Sequence, residues 1–266
     1  MYLHTLYKAT SLWLACSTMT LVQALSSSSS SSTITNTTSL PTRFGVVLFP
    51  AFQALDVFGP LDALNLLSWK HALNVSLIAA TLDAVSTQVR SPAMNPFNSS
   101  FGEAVVPTHT FGAPPRDLDV LLVPGGVGTR APDRAVVIEY IRTAFPSLRY
   151  LVTVCTGAHL AAEAGVLDGR AATTNKAGWA QTAAYPAVRW VARARWVDDG
   201  KVWTSSGVSA GIDATLAWIA AVFGEPTAAD LALSMEYERH TEAAWDPFAE
   251  YWNLTSREPA ESKSCS

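Results

Sequence analysis

An α/β sandwich, with a mostly parallel sheet and helices on both faces, is the fold class this chain predicts. Three observations predict it. From Arg43 onward, short β-branched runs alternate with amphipathic stretches, as parallel strands require when each crossover must pack back on the sheet. The 266 residues are 49% hydrophobic, enough for one large core with small appendages. No stretch after the first two dozen residues is an apolar run of the ~18 residues a membrane helix needs.

The first strand is expected at 44–49 and the first helix at 60–67. Gly59 reads as its N-cap and Pro60 as its first residue, where a missing N–H costs nothing. Asp56 is thereby expected in the loop between them. Further strands are expected at 75–79, 120–124, 150–154 and 202–206, with a short one at 171–173. Helices are expected at 133–145, 156–164, 176–185, 210–223 and 227–238. In such folds the site lies beyond the strand C-termini. Asp56, the pair Gly125 and Gly126, and Cys155 each follow a strand at that edge.

The ends of the chain read differently. Lys8 precedes an apolar stretch at 11–21, and Ala24 offers a small-residue cleavage site, so residues 1–24 are expected to be a signal peptide and the mature protein to be secreted. Residues 25–42, rich in Ser and Thr, have little to bury and are expected to be a disordered linker. The folded domain is expected at 43–254, and a disordered tail at 255–266. Sequons at Asn36, Asn74, Asn98 and Asn253 are candidate glycosylation sites. Of the three cysteines, Cys16 leaves with the signal and Cys265 sits in the tail. Cys155 therefore has no obvious partner, a Cys155–Cys265 bridge being the alternative. The net charge of −4 and the lack of a basic patch argue against nucleic acid, and no membrane partner is expected.

Cys155 stands where an apolar strand pattern stops and a small-residue helix pattern starts, which reads as a nucleophile elbow. The unpaired amides and positive end of the helix favour a thiolate there and can hold an oxyanion. The plain alternative is a buried structural cysteine. A thiol nucleophile also needs a proton-moving group and amide donors; Asp56, with the amides near Gly126 and Thr156, could supply them. Two acids in one dry pocket repel, so the pair would share a proton. For Asp56 the alternative is a loop acid near a helix start.

Other residues invite a plainer reading. His159, one turn beyond Cys155, reads as packing or solvent-facing. The stretch from Glu236 to His240 looks metal-like on one helical face, but no third ligand is signalled; a salt-bridged surface helix is expected, and no metal is assigned. Trp179, Trp196, Trp203 and Trp218, among nine tryptophans, read as core or interface anchors. The aromatic stretch 245–252 is expected to dock on the sheet domain or on a second subunit.

Four motifs carry a resemblance: Asp56-Val57-Phe58-Gly59-Pro60, Val123-Pro124-Gly125-Gly126, Val154-Cys155-Thr156-Gly157-Ala158, and Ser205-Ser206-Gly207-Val208-Ser209-Ala210-Gly211-Ile212-Asp213. In this order, and over about residues 43–251, the chain resembles the ThiJ/PfpI superfamily of class I glutamine amidotransferase-like proteins, and within it the isonitrile hydratase-like members. The resemblance implies a flavodoxin-like sandwich, no metal or organic cofactor, a small-molecule substrate and a homodimer. Carried over, it makes Cys155 the nucleophile at the isonitrile carbon, Asp56 the acid/base, and Thr156 the residue that orients the intermediate on the way to an N-substituted formamide. Backbone amides at Gly125 and Gly126, with that of Thr156, would stabilise charge.

One departure narrows the chemistry. Where many relatives carry Thr-Thr-His, this chain has Thr173-Thr174-Asn175, and Asn175, a pocket candidate, cannot act as a base. Amidotransfer and proteolysis by a Cys/His pair are weakened, while hydration by a Cys/Asp pair survives. The alternatives are a glyoxalase-like or secondary-metabolite tailoring reaction, or a non-catalytic redox-sensing or binding protein in which Cys155 is oxidised. The stretch after Tyr251 is too short for the DNA-binding domain of the superfamily's regulators, so transcription control is not expected.

Overall fold

The most apolar runs of the chain form the centre of a seven-stranded sheet. The computed structural model describes residues 39–259. The expected signal peptide, most of the linker, Cys16, Asn36 and Cys265, and with Cys265 the alternative bridge to Cys155, lie outside the described residues. The strands are β1 (Arg43–Val47), β2 (Asn74–Ala79), β3 (Val85–Ser86), β4 (Ala104–Val105), β5 (His109–Thr110), β6 (Val120–Val123), β7 (Tyr150–Thr153), β8 (Ala171–Ala172), β9 (Arg189–Trp190), β10 (Trp196–Asp199) and β11 (Val202–Ser205). The helices are α1 (Ala54–Leu67), α2 (Ala135–Ala144), α3 (Gly157–Glu163), α4 (Trp179–Thr182), α5 (Ala210–Phe223), α6 (Glu225–Ser234) and α7 (Phe248–Tyr251).

The sheet order is β10-β11-β7-β6-β1-β2-β5, parallel throughout except for β10, which runs antiparallel to β11. This is the flavodoxin-like sandwich the motifs imply. Every residue of β6 and β11 is buried, as strands covered on both faces must be. Helix α5 seals one face: the Trp218 ring meets Phe44 and Tyr150 edge-on, with centroids 5.9 and 5.5 Å away. Trp179, Trp196 and Trp203 are buried as well, as expected of core anchors. The in-phase register pairs Val123 with Thr153 and Thr153 with Thr204. Strands β1, β6, β7 and β11 thus end together, and the loops that follow them share one edge.

The structure corrects several element boundaries. Helix α1 begins six residues before Pro60, at Ala54, so Asp56 lies in its first turn and not in a loop. Pro60 denies the Asp56 carbonyl its helical donor, yet packing carries the helix through: a Cβ on Gly59 would come 2.8 Å from Ile212 of α5. Helix α4 is a single turn, and not the span 176–185, because Lys176 is turned inward to a buried partner. Strand β8 pairs with β9 in a separate two-stranded sheet. Helix α6 ends at Ser234 because Glu236 takes a left-handed φ of 49° and the Tyr237 N–H returns to the Ala232 carbonyl at 2.9 Å, a Schellman-type stop. Glu236 and His240 therefore do not share a helical face. His240 stacks on Trp245 instead, and Arg239 pairs with Glu225.

At the C-terminal end of the described residues, Arg257 and Trp190 exchange two backbone hydrogen bonds of 2.8 Å. The stretch 245–252 does dock on the domain, but through buried Asp246 and Ala249; Trp245, Tyr251 and Trp252 are exposed.

Candidate active site

Three sheet-edge loops and the first turn of α1 bring the expected residues together. Gly125, just after β6, donates its N–H to Asp56 Oδ2 at 2.8 Å. A Cβ on Gly125 would sit 2.5 Å from the Thr156 nitrogen and 2.9 Å from Asp56 Oδ2, so only glycine lets the three segments meet. Gly126 adopts φ 119° and ψ 172°, a backbone region essentially closed to other residues. A Cβ there would lie 2.4 Å from the Gln53 nitrogen. Gly126→Ala is expected to lower stability by roughly 1–3 kcal/mol, measured as a shift in the urea midpoint; an unchanged midpoint would show that the loop relaxes without strain.

Cys155 sits between β7 and α3 with φ 57°, a left-handed conformation rare for a residue with a side chain. Two contacts hold it there. Its N–H donates to the Ser206 carbonyl at 3.0 Å, and its carbonyl accepts from the Thr174 hydroxyl at 2.9 Å. The sulfur faces the backbone N–H groups of Thr156 and Val208, the Thr156 hydroxyl and the Asp56 carboxyl. Cys155 is 5% exposed and Asp56 fully buried.

These surroundings set the protonation. Burial, opposed by the Gly125 N–H and the neighbouring thiol, pushes the Asp56 carboxyl up to about 7. Burial first, and then the Asp56 charge, pushes the Cys155 thiol up to about 12 against the pull of the Thr156 and Val208 amides. Of the two opposing influences, the helix end that favours a thiolate and the neighbouring acid that opposes it, burial sides with the acid. Helix α3 has only seven residues, and its dipole does not offset burial beside an acid. At neutral pH the sulfur keeps its proton while Asp56 is poised between its two forms.

Other expectations shift as well. The Gly125 and Gly126 amides do not face an open oxyanion site: the first holds Asp56 and the second donates to Thr156 Oγ1 at 3.1 Å. Thr156 is further tied to Thr129 at 3.3 Å. Asn175 accepts the Gly178 N–H at 2.9 Å and packs its amide against Gly207, a wedge between two loops and not a partner of the sulfur. His159 is buried, with Nε2 3.6 Å from Glu163 and its ring edge-on to Tyr185; burial lowers its pKa. It is a packing residue. Among the described residues, no three His, Cys, Asp or Glu side chains gather as a metal site.

The Val208 amide was missed because a backbone donor leaves no mark on residue type. Only the position of the motif from Ser205 to Asp213, between a strand and a helix at this edge, could have suggested it. A cleft of about 750 Å³ lies beyond the ends of β1 and β2, lined by Phe49, Arg90, Phe111 and Arg130 among others. Neither Cys155 nor Asp56 lines it.

A parallel α/β sandwich with a strained cysteine after a central strand, set against a buried carboxyl, defines a class of cysteine-elbow proteins. Residues 42–221 match the DJ-1/PfpI family, and the chain belongs to it. It is 34% identical over 197 residues to an isonitrile hydratase of Pseudomonas putida, a match covering 73% of this chain and 78% of that protein. A shorter likeness, 39% over 72 residues and 27% of each chain, is to an HTH-type transcriptional regulator of Mycobacterium tuberculosis. Among solved structures, a ThiJ/PfpI family protein from Pseudomonas syringae superposes with a TM-score of 0.63 at 30% identity, over 75% of this chain and 76% of that one.

Proposed function

We propose that the protein hydrates isonitriles to N-substituted formamides, with Cys155 as nucleophile and Asp56 as the proton-moving group. The observation that carries this reading is the pairing of a buried thiol with a buried carboxyl, with no imidazole facing the sulfur among the described residues. The 34% identity to an isonitrile hydratase supports the substrate class.

The steps follow from the protonation. Asp56 takes the thiol proton as Sγ adds to the terminal carbon of R–N≡C, and returns it to that carbon, giving the thioimidate R–N=CH–S. Asp56 then takes a proton from water as the water oxygen adds to the same carbon, and passes that proton to the nitrogen. Collapse expels the sulfur, which receives the proton of the new hydroxyl through Asp56, and leaves R–NH–CHO. A carboxyl poised near 7 serves both directions of transfer. Asp56 Oδ1, with no N–H or O–H partner among the described residues, is the free acceptor. The amides of Thr156 and Val208, aimed at the sulfur, stabilise its negative charge.

Incubation with cyclohexyl isonitrile should yield N-cyclohexylformamide by mass spectrometry. No product at high enzyme loading would remove the reading, and lactate formed from methylglyoxal would favour a glyoxalase-like reaction instead. A redox sensor would want an accessible, low-pKa thiol; the raised pKa and burial of Cys155 argue against it. We place the protein on the secretory route, which Lys8, the apolar stretch at 11–21 and the exposure of Asn74, Asn98 and Asn253 support. For the homodimer, the support is exposed Leu55 and Phe58 on α1, which border a cleft of about 680 Å³.

A further inference from the structure

Beneath the elbow lies a buried ion pair that the proposed hydration does not use. Lys176 and Asp246 are 4% and 2% exposed, with Nζ 3.2 Å from Oδ2. Lys176 also donates to Thr173 Oγ1 at 2.7 Å and to the carbonyls of Ala194 and Thr174 at 3.0 and 3.3 Å. Asp246 Oδ2 also accepts the Ser206 hydroxyl at 2.9 Å, and its Oδ1 accepts the Phe248 N–H at 2.9 Å. Every polar atom of the pair is engaged.

Buried ion pairs are poor stabilisers, and apolar side chains of similar volume often replace them without loss. The hydrogen bonds of the pair to Ser206 and Thr174 point to a geometric role. The two groups that fix the backbone of Cys155 are the Ser206 carbonyl and the Thr174 hydroxyl. Asp246 holds Ser206 by its side chain, and Lys176 holds Thr174 by its carbonyl. One buried pair thus grips both clamps on the strained residue. Asp246 comes from the C-terminal segment, beyond the residues 42–221 that match the family.

We propose that Asp246, acting with Lys176, is a positioning residue for Cys155, so that the C-terminal segment completes the active site by locking the elbow through Ser206 and Thr174. This rests on Cys155 being the nucleophile of the hydration. Misplacing a reacting atom by about 1 Å can cost two orders of magnitude in rate, so the effect should be on turnover and not on binding.

The test uses the full chain and four variants: Asp246→Asn, Lys176→Met, the double replacement Lys176→Met with Asp246→Leu, and Glu250→Gln. The last breaks only the exposed Arg193–Glu250 pair on the same segment. The readouts are kcat and KM with cyclohexyl isonitrile, the rate of Cys155 alkylation by iodoacetamide at fixed pH, and the melting midpoint. Asp246→Asn and Lys176→Met should lower kcat roughly 10- to 100-fold with KM little changed, and shift the alkylation rate several-fold. The double variant should recover the melting midpoint but neither kcat nor the alkylation rate, because the Ser206 hydroxyl still lacks its acceptor. Glu250→Gln should match the parent in all three. Recovery of kcat and alkylation together with melting in the double variant would overturn the proposal, making the pair a fold element only. Unchanged kcat and alkylation in a folded Asp246→Asn protein would do the same. If the parent protein hydrates no isonitrile, the alkylation rates still decide whether Asp246 positions the sulfur, so the two readings fail separately.

Discussion

Asp56→Asn is expected to stabilise the folded protein at pH 8 by roughly 3 kcal/mol while cutting the proposed isonitrile hydration by about 10²- to 10⁴-fold, the range for loss of an acid/base group. Burial raises the Asp56 carboxyl from 3.8 to about 7, so between those values the folded protein keeps a proton that the unfolded chain has lost. Stability therefore falls as pH rises from about 4 to about 7, and stays low above it. At about 1.4 kcal/mol per pH unit, the shift amounts to roughly 4 kcal/mol. Asparagine stays neutral, keeps an oxygen for the Gly125 N–H, and gives back about 1 kcal/mol through a buried N–H without a good acceptor. The gain should be large at pH 8 and nearly absent at pH 4. Urea denaturation at both values checks it: an equal gain at the two pH values, or none at pH 8, would show that the buried charge is not what the carboxyl contributes. The trade between stability and activity at one residue is what a strained, desolvated site implies.

Cys155→Ala is expected to abolish the proposed hydration, by about 10⁴-fold or more, since on the proposed mechanism it removes the covalent nucleophile and leaves only the contribution of binding and oriented amides. The fold should survive, because alanine fits the space and the φ of 57° is held by backbone contacts at Ser206 and Thr174. Rapid-quench assays of the parent protein should trap a covalent adduct heavier by the mass of the isonitrile, and the alanine variant should show none. Turnover within tenfold of the parent in Cys155→Ala would exclude the sulfur from the chemistry and shift attention to Asp56 and water alone.

The sheet was legible because its central strands are short, β-branched and apolar on both faces, as with Val120 to Val123. Convergence of Asp56, Gly125 and Cys155 was legible because each follows a strand that must end at the same edge. What escaped depends on tertiary context. Gly59 and Pro60 signal a helix start, yet packing against Ile212 carries α1 through them. Lys176 fits a helical pattern, but its buried bond to Asp246, 70 residues away in sequence, unwinds that turn. The protonation of Cys155 was left open by the sequence, because a helix start favours a thiolate while a neighbouring carboxyl opposes it, and the degree of burial that decides between them is a property of the folded chain.

The two ends of the main sheet carry a consequence for how copies of this protein meet. At one end, β5 is only two residues long. At the other, β10 ends in Asp198 and Asp199, and Asp199 is already occupied by the Ala171 N–H and the Arg170 guanidinium at 3.0 Å each. A row of free backbone donors and acceptors is what templates strand addition and fibrillar assembly, and among the described residues neither end presents a long one. Molecules of this chain that associate in crowded surroundings are therefore directed toward side-chain contacts between helices, and away from extension of the sheet.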